Sequence, residues 1–416
     1  MFFRIKNATT LLLAATTTLS SVLQSSAESS CKLSDSEPCS IDLLKPSEDD
    51  GSVIIFPGGN SRCAFDNYVD LKTAYSSNST FLFQVFPNKE MDKSKLMIFF
   101  QGGGACVDQE TCTFGLQCSL ADEATFRTAA TLSSAGILDR SLSDNMFNDW
   151  NIVFIPYCTG DLHLGNRVAT PYESGKESKL GNTQCLGLNY PMHMNGYNNT
   201  IAVLNWALEN YPDVENFIVG GESSGSIAAQ AYSAKIAEMW DIDHEETSFS
   251  VLADSYVGFV PDEKPAAKLL ITYGACSNNF ELSDDIVAAC EAGTVTTVEV
   301  VTSLLKAQPE SHWFFINSKG DTIQRYFYAL VEEGIRDFSF PDLISEEVFF
   351  SNISTILNSY RDVSSQITTF FVESSVHVFL YDSNYTNVES DEHLLLGDVL
   401  NEWLVMSSDL DSHLHA

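Results

Sequence analysis

Lysine and arginine are scarce in this chain. Only 22 are present against 56 aspartates and glutamates, leaving a formal charge of −34 and a pI near 4.3. That balance excludes nucleic acid as a partner, because neutralising phosphates takes Lys and Arg. The acidic excess reads as a solvated surface that keeps the protein soluble, rather than as a specific cation site. Long apolar runs are missing as well. No stretch beyond the N-terminus reaches about 18 uninterrupted apolar residues, so stable membrane insertion is not expected. No Cys-x-x-Cys pair occurs, and no histidine stands at ligand spacing beside a cysteine, which argues against a metal site. Internal repeats and low-complexity tracts are absent, and no strong linker divides the 416 residues. With 44% hydrophobic residues the chain can build one large α/β domain or two smaller ones.

What is present begins with an export signal. Arg4 and Lys6 form a short positive region, "LLLAATTTLSSVL" a modest apolar one, and Ser25-Ser26-Ala27 a small-residue cleavage site before Glu28. We therefore expect a signal peptide over 1–27, then a single domain over 28–416 with a short N-terminal extension, secreted to the extracellular space or cell wall. The ten cysteines agree: an even number in an exported chain favours disulfides. Cys31–Cys39 and Cys276–Cys290 are close enough in sequence to be local bridges. Glycosylation sequons stand at Asn78, Asn198, Asn352 and Asn384.

Short apolar runs predict strands at 81–87, 95–100, 151–157, 216–221, 249–255, 312–318 and 367–374. Helical spacing covers 197–211, 224–240 and 399–406. Strands alternating with helices argue an α/β fold, with a mostly parallel sheet covered on both faces.

Within that frame Gly221-Glu222-Ser223-Ser224-Gly225 fits Gly-x-Ser-x-Gly, with a strand before it and a helix after it. This is the setting of a nucleophile elbow, in which the serine sits on a sharp strand-to-helix turn and the flanking glycines avoid its side chain. Ser223 is the candidate nucleophile. The alternative is a tight turn that merely needed small residues. "IFFQGGGACVDQETC" supplies a second element: Gly102, Gly103 and Gly104 follow the strand at 95–100 and can bring backbone N–H groups close to a substrate oxygen. We assign the oxyanion hole to the N–H groups near Gly103, Gly104 and Ser224. A phosphate cradle is a poor fit, because no Gly-Lys-Ser/Thr follows.

A serine nucleophile of this type needs an acid and a histidine in the chain order Ser, Asp, His. His377 follows the strand at 367–374, where a loop at the strand's C-terminal end would place it. His393 reads as structural, His312 opens a strand, His163 precedes Ser223, and His413 and His415 lie in a polar tail. Asp321, after the strand at 312–318, is the preferred acid. Asp254, one strand earlier, is its rival.

Together these residues resemble the pectin acetylesterase/Notum family of extracellular carboxylesterases, over roughly Phe83 to Trp403. The segments that carry the resemblance are "QGGGAC" (101–106), "DWNIVFIPYCTGDLHLGN" (149–166), "GGESSG" (220–225), "LADS" (252–255), "INSKGDTIQ" (316–324) and "SSVHVFL" (374–380). The resemblance implies an α/β-hydrolase-like fold and points to Asp321 and His377 as partners of Ser223. It also marks departures. Ala105 stands where plant and animal members carry a tryptophan lining the acyl pocket, and Gly320 and Ile323 replace aromatic positions around the acid. Pocket walls set substrate choice. The expected activity is hydrolysis of an O-acyl ester, foremost O-acetyl on an extracellular carbohydrate, through an acyl-enzyme and with no cofactor. A long-acyl lipase or protein deacylase, and a catalytically silent binding module, are the alternatives.

Overall fold

The computed structural model describes residues 29–69, 76–106, 136–169, 191–244, 246–260, 263–333 and 342–408. The predicted signal peptide, together with Cys112, Cys118 and Cys185, lies outside them.

The strands, in chain order, are β1 (Ser30–Lys32), β2 (Val53–Phe56), β3 (Tyr68–Val69), β4 (Ser76–Ser77), β5 (Phe83–Phe86), β6 (Lys95–Phe100), β7 (Asn151–Ile155), β8 (Arg167–Ala169), β9 (Met192–Met194), β10 (Asn216–Glu222), β11 (Ser248–Asp254), β12 (His312–Ser318) and β13 (Ile367–Val372). The helices are α1 (Gly196–Asn210), α2 (Ser224–Met239), α3 (Glu263–Tyr273), α4 (Asp284–Glu291), α5 (Thr297–Ala307), α6 (Thr322–Glu333), α7 (Glu346–Arg361) and α8 (Leu396–Ser408). Each predicted strand and helix is present, with ends shifted by a few residues. His393 lies just ahead of α8, exposed and hydrogen-bonded to Glu389.

Nine strands form one sheet in the order β1-β2-β5-β7-β6-β10-β11-β12-β13. Only β5 runs antiparallel to its neighbours, β2 and β7. The pairs β3–β4 and β8–β9 form two small separate antiparallel sheets. The central strands are buried along nearly their whole length because both faces are covered. β7, β10, β11 and β12 carry residues such as Ile152, Val219, Val251 and Phe314 that are fully buried or nearly so. α2 is rich in small residues and lies close on the sheet, where Tyr232 stacks on Phe100 with centroids 5.5 Å apart.

Staples and caps finish the fold. Disulfides join Cys31–Cys39, Cys63–Cys158 and Cys276–Cys290, and Cys106 is disulfide-bonded too. Both expected local bridges are present. Cys63–Cys158 adds a long-range one that spacing alone did not reveal. A capping box at Thr296 and Glu299 starts α5, and Ser345 caps α7. No described helix is long and apolar enough to cross a membrane. The sequon asparagines Asn352 and Asn384 are exposed. Asn198 is half-buried, and its amide donates to Asn166 and Asn195.

Candidate active site

Five adjacent parallel strands, β6, β10, β11, β12 and β13, end on the same side of the sheet. Each is followed by one piece of the candidate site, which is where open α/β sheets place their ligands.

Ser223 leaves β10 and opens α2 with φ 53° and ψ −122°. A non-glycine residue takes up that conformation only when its surroundings hold it there. Here the Ser223 N–H donates to the Asp254 carbonyl at 2.8 Å. The two glycines are sterically required. A Cβ at Gly221 would strike the Gly225 carbonyl, and one at Gly225 would strike that of Phe100. The backbone therefore has the strained geometry that presents an elbow serine to a cavity.

The acid is set by a helix start. Asp321 is fully buried at the N-terminus of α6. Its Oδ1 accepts the N–H groups of Ile323 and Gln324, each at 2.9 Å, and its Oδ2 accepts the Gln324 side-chain amide at 2.9 Å. The remaining contact is with His377, whose Nδ1 lies 2.7 Å from Oδ2. Nε2 on the far side of the ring is buried and makes no hydrogen bond to another described residue.

His377 sits on a loop fastened at almost every residue. The carbonyls of Ser374 and Ser375 accept the N–H groups of Gly320 and Thr322. The Val376 carbonyl accepts the Ser318 hydroxyl at 2.6 Å. Beyond the histidine, Val378 N–H donates to Ser255 Oγ at 2.9 Å, and Phe379 and Leu380 N–H both donate to Asp254 Oδ2 at 2.8 Å. Asp254 thus does not meet the imidazole nitrogens. It anchors the loop that carries them. Burial raises the Asp254 carboxyl, while those N–H donors and the Ser255 hydroxyl act the other way. The loop-anchoring role of Asp254 and Ser255 has only a weak signal in the sequence: they close the strand expected over 249–255, within "LADS".

Ser223 and His377 line one cavity of about 80 Å³, together with Gly104, Ser224 and Gln324. Gly103 and Gly104 both have positive φ, at 153° and 81°. Gly104 and Ser224 reach the cavity wall; Gly103 is next to it in the chain but is not among the lining residues. Most of the remaining wall is apolar, including Leu162, Ile227, Phe259, Leu269 and Phe327. Ala105 and Ile323, the two departures that the sequence showed there, are part of this wall.

One histidine set aside by chain order has a structural place. His163 is buried, and its Nε2 lies 2.8 Å from the Gln101 carbonyl, immediately before the glycine loop. Burial lowers its pKa to about 4, so it is neutral and donates to that carbonyl. Asp161 beside it is pushed up to about 6 by burial, against the opposing hydrogen bonds from Thr159 and Gly196.

A serine hydroxyl on the wall of a cavity, an imidazole with one nitrogen on a carboxylate, and N–H groups on a glycine loop can together carry out acyl transfer at an ester. The fold has solved relatives. The Wnt deacylase Notum from Drosophila superposes in one crystal form with a TM-score of 0.54 at 15% identity, covering 85% of this chain and 92% of that one. In a second crystal form the TM-score is 0.52 at 14% identity, with 84% and 94% covered. At that identity the likeness is one of fold. No curated protein matches the sequence. The pectinacetylesterase family model matches residues 80–392, from β5 through the His377 loop. This chain belongs to the pectinacetylesterase family of carboxylic ester hydrolases.

Proposed function

We propose that the protein is a secreted serine esterase that removes an O-acyl group, foremost O-acetyl, from an extracellular carbohydrate. Ser223, His377 and Asp321 act as its triad. The observation that carries this reading is the Asp321–His377 hydrogen bond, at the rim of a cavity that Ser223 shares.

The steps follow from the atoms. With Nδ1–H held by Asp321, Nε2 carries a lone pair and accepts the Ser223 proton as the hydroxyl attacks the ester carbonyl. Asp321 stabilises the imidazolium that forms. The N–H groups of Gly104 and Ser224, with Gly103 behind them, hold the oxyanion. His377 then protonates the departing alcohol. Water attacks the acyl-enzyme by the reverse roles and frees the acid. Export is supported by the disulfides, which form in oxidising compartments.

A longer acyl group is the second reading, and one observation favours it. The site cavity shares Leu162, Ile227, Tyr256, Val260 and Leu269 with a second cavity of about 90 Å³ that runs on to Leu304 between α2, α3 and α5. An acetyl group leaves that apolar space unfilled. Each buried methylene contributes about 0.8 kcal/mol, so a fitting chain would gain several-fold in kcat/KM per carbon. A fluorophosphonate probe should label the wild-type protein and not Ser223→Ala; failure to label the folded wild type would end the esterase reading. Nitrophenyl esters of increasing chain length then decide between acetyl and longer acyl groups.

A further inference from the structure

We propose that Glu222 is a positioning residue for the oxyanion loop: its carboxyl takes the Gly102 N–H and so fixes the following glycines against the N-terminus of α2. The inference rests on the serine-esterase reading above. Glu222 fills the first unspecified position of Gly-x-Ser-x-Gly, one before Ser223, and is 6% exposed. Its Oε1 accepts the backbone N–H of Gly102, a residue 120 positions earlier. The fit is close enough that a Cβ at Gly102 would collide with Oε2 and with the Glu222 carbonyl. One side chain therefore ties the strand-to-helix turn bearing Ser223 to the loop bearing Gly103 and Gly104. Both halves of the oxyanion hole are referenced to a single carboxyl.

The surroundings define the form of that carboxyl. Glu222 and Asp254 are register partners on the parallel strands β10 and β11, so their side chains leave the same face of the sheet. Phe99 and Gly220 are paired on that face, and the Tyr381 ring covers it, 5.8 Å from Phe99 and 6.4 Å from Phe154. The groups facing Glu222 are thus Asp254 from β11 and Tyr381 from the segment after β13, and neither carries positive charge. Asp254 accepts three hydrogen bonds, from Ser255, Phe379 and Leu380. Although fully buried, it is the better hydrogen-bonded of the two carboxyls. Burial drives Glu222 well above the ordinary carboxyl range, and Asp254 adds to that. A neutral Glu222 can support the loop without placing a second negative charge beneath a developing oxyanion.

The test is a comparison of Glu222→Ala and Glu222→Gln, with kcat expressed per active site titrated by a fluorophosphonate, so that unfolded protein drops out. Glutamine keeps the acceptor and the neutrality; alanine keeps neither the acceptor nor the tie. Glu222→Ala should lose about 100-fold in kcat with KM within threefold, the scale expected when a reacting geometry shifts by about 1 Å. Glu222→Gln should restore most of that loss. Glu222→Ala with kcat per site within threefold of wild type would overturn the proposal, and so would Glu222→Gln as impaired as Glu222→Ala. Failure of the underlying esterase reading is separately visible, because Ser223→Ala would then keep the wild-type activity or the wild type would take no label.

Discussion

Asp321 Oδ2 lies 2.7 Å from His377 Nδ1, although 56 residues separate the two in sequence. Asp254, the rival acid, reaches the same loop but only its backbone, at Phe379 and Leu380. The two aspartates are thus separable by experiment. Asp321→Asn should leave the fold intact and lower kcat by about 10⁴-fold, because the histidine loses its charge-stabilising partner and its tautomer. Asp254→Ala should instead act through the fold, since two buried N–H groups lose their acceptor at about 1–3 kcal/mol each. Urea midpoints and kcat on a nitrophenyl ester check both. A fully active Asp321→Asn enzyme would sink the assignment.

The two elbow serines should differ sharply. Ser223→Ala should remove nearly all esterase activity at unchanged thermal midpoint, because one lost triad member costs several orders of magnitude. Ser224→Ala should be mild, since only its backbone N–H is asked to act. Reversed results would mean that the nucleophile is one residue further along.

The disulfides should contribute unequally. Cys63–Cys158 closes a loop of 95 residues and Cys31–Cys39 one of 8. Loop-closure entropy gives about 4–5 kcal/mol for the first and about 2–3 kcal/mol for the second. Cys63→Ser/Cys158→Ser should accordingly lower stability more than Cys31→Ser/Cys39→Ser. Non-reducing peptide mapping should find most of the ten cysteines paired; ten free thiols in the exported protein would contradict both the bridges and the export reading.

The buried pair under the glycine loop makes a prediction for pH. His163 falls from 6.5 to about 4 in the fold. Between those values the unfolded chain binds a proton that the native one does not, so this residue makes stability rise with pH. Asp161 climbs from 3.8 to about 6 and works in the opposite direction, since the native carboxyl keeps a proton that the unfolded one has lost. The two contributions are each about 3 kcal/mol and nearly cancel between pH 4 and 6. His163→Gln removes one of them. Its stability relative to wild type should therefore fall by about 3 kcal/mol from pH 4 to pH 6.5. Urea midpoints that run parallel across this range would show that His163 does not stay neutral in the native protein.

Charge bears on the carbohydrate. Pectin is a polyanion, and a protein of −34 repels it at low ionic strength. Screening shortens the Debye length from about 30 Å at 0.01 M to about 10 Å at 0.1 M. kcat/KM on acetylated pectin should rise with moderate salt, while turnover of neutral nitrophenyl acetate stays nearly flat. At low salt and equal acetyl concentration, acetylated xylan should be the faster polymer. A pectin rate above the xylan rate under those conditions would refute the preference for a neutral ester.

The elements of the site were legible in the sequence because each announces itself locally. β6, β10 and β12 carry continuous apolar runs, over 96–100, 217–219 and 313–316, since both faces of the sheet are buried, and Gly221 and Gly225 flank Ser223 because the elbow leaves no room for a Cβ. Chain order and position after a strand were enough to favour Asp321 and His377. Other features depend on contacts between distant strands, which leave no local pattern. Asp254 ends one parallel strand and Asp321 follows the next, and only the path of the loop after β13 decides that one meets the imidazole and the other the backbone. Glu222 looks like a spacer within the motif until β6 and β10 pair and bring Gly102 against it. His163, excluded as a base by its position before Ser223, acquires its place under Gln101 in the same way. The sequence by itself determined the strand order along the chain, the strained serine turn and its glycines. The tertiary structure decided which buried polar groups are partnered, because a hydrogen bond depends on where two side chains stand in space and not on their separation along the chain.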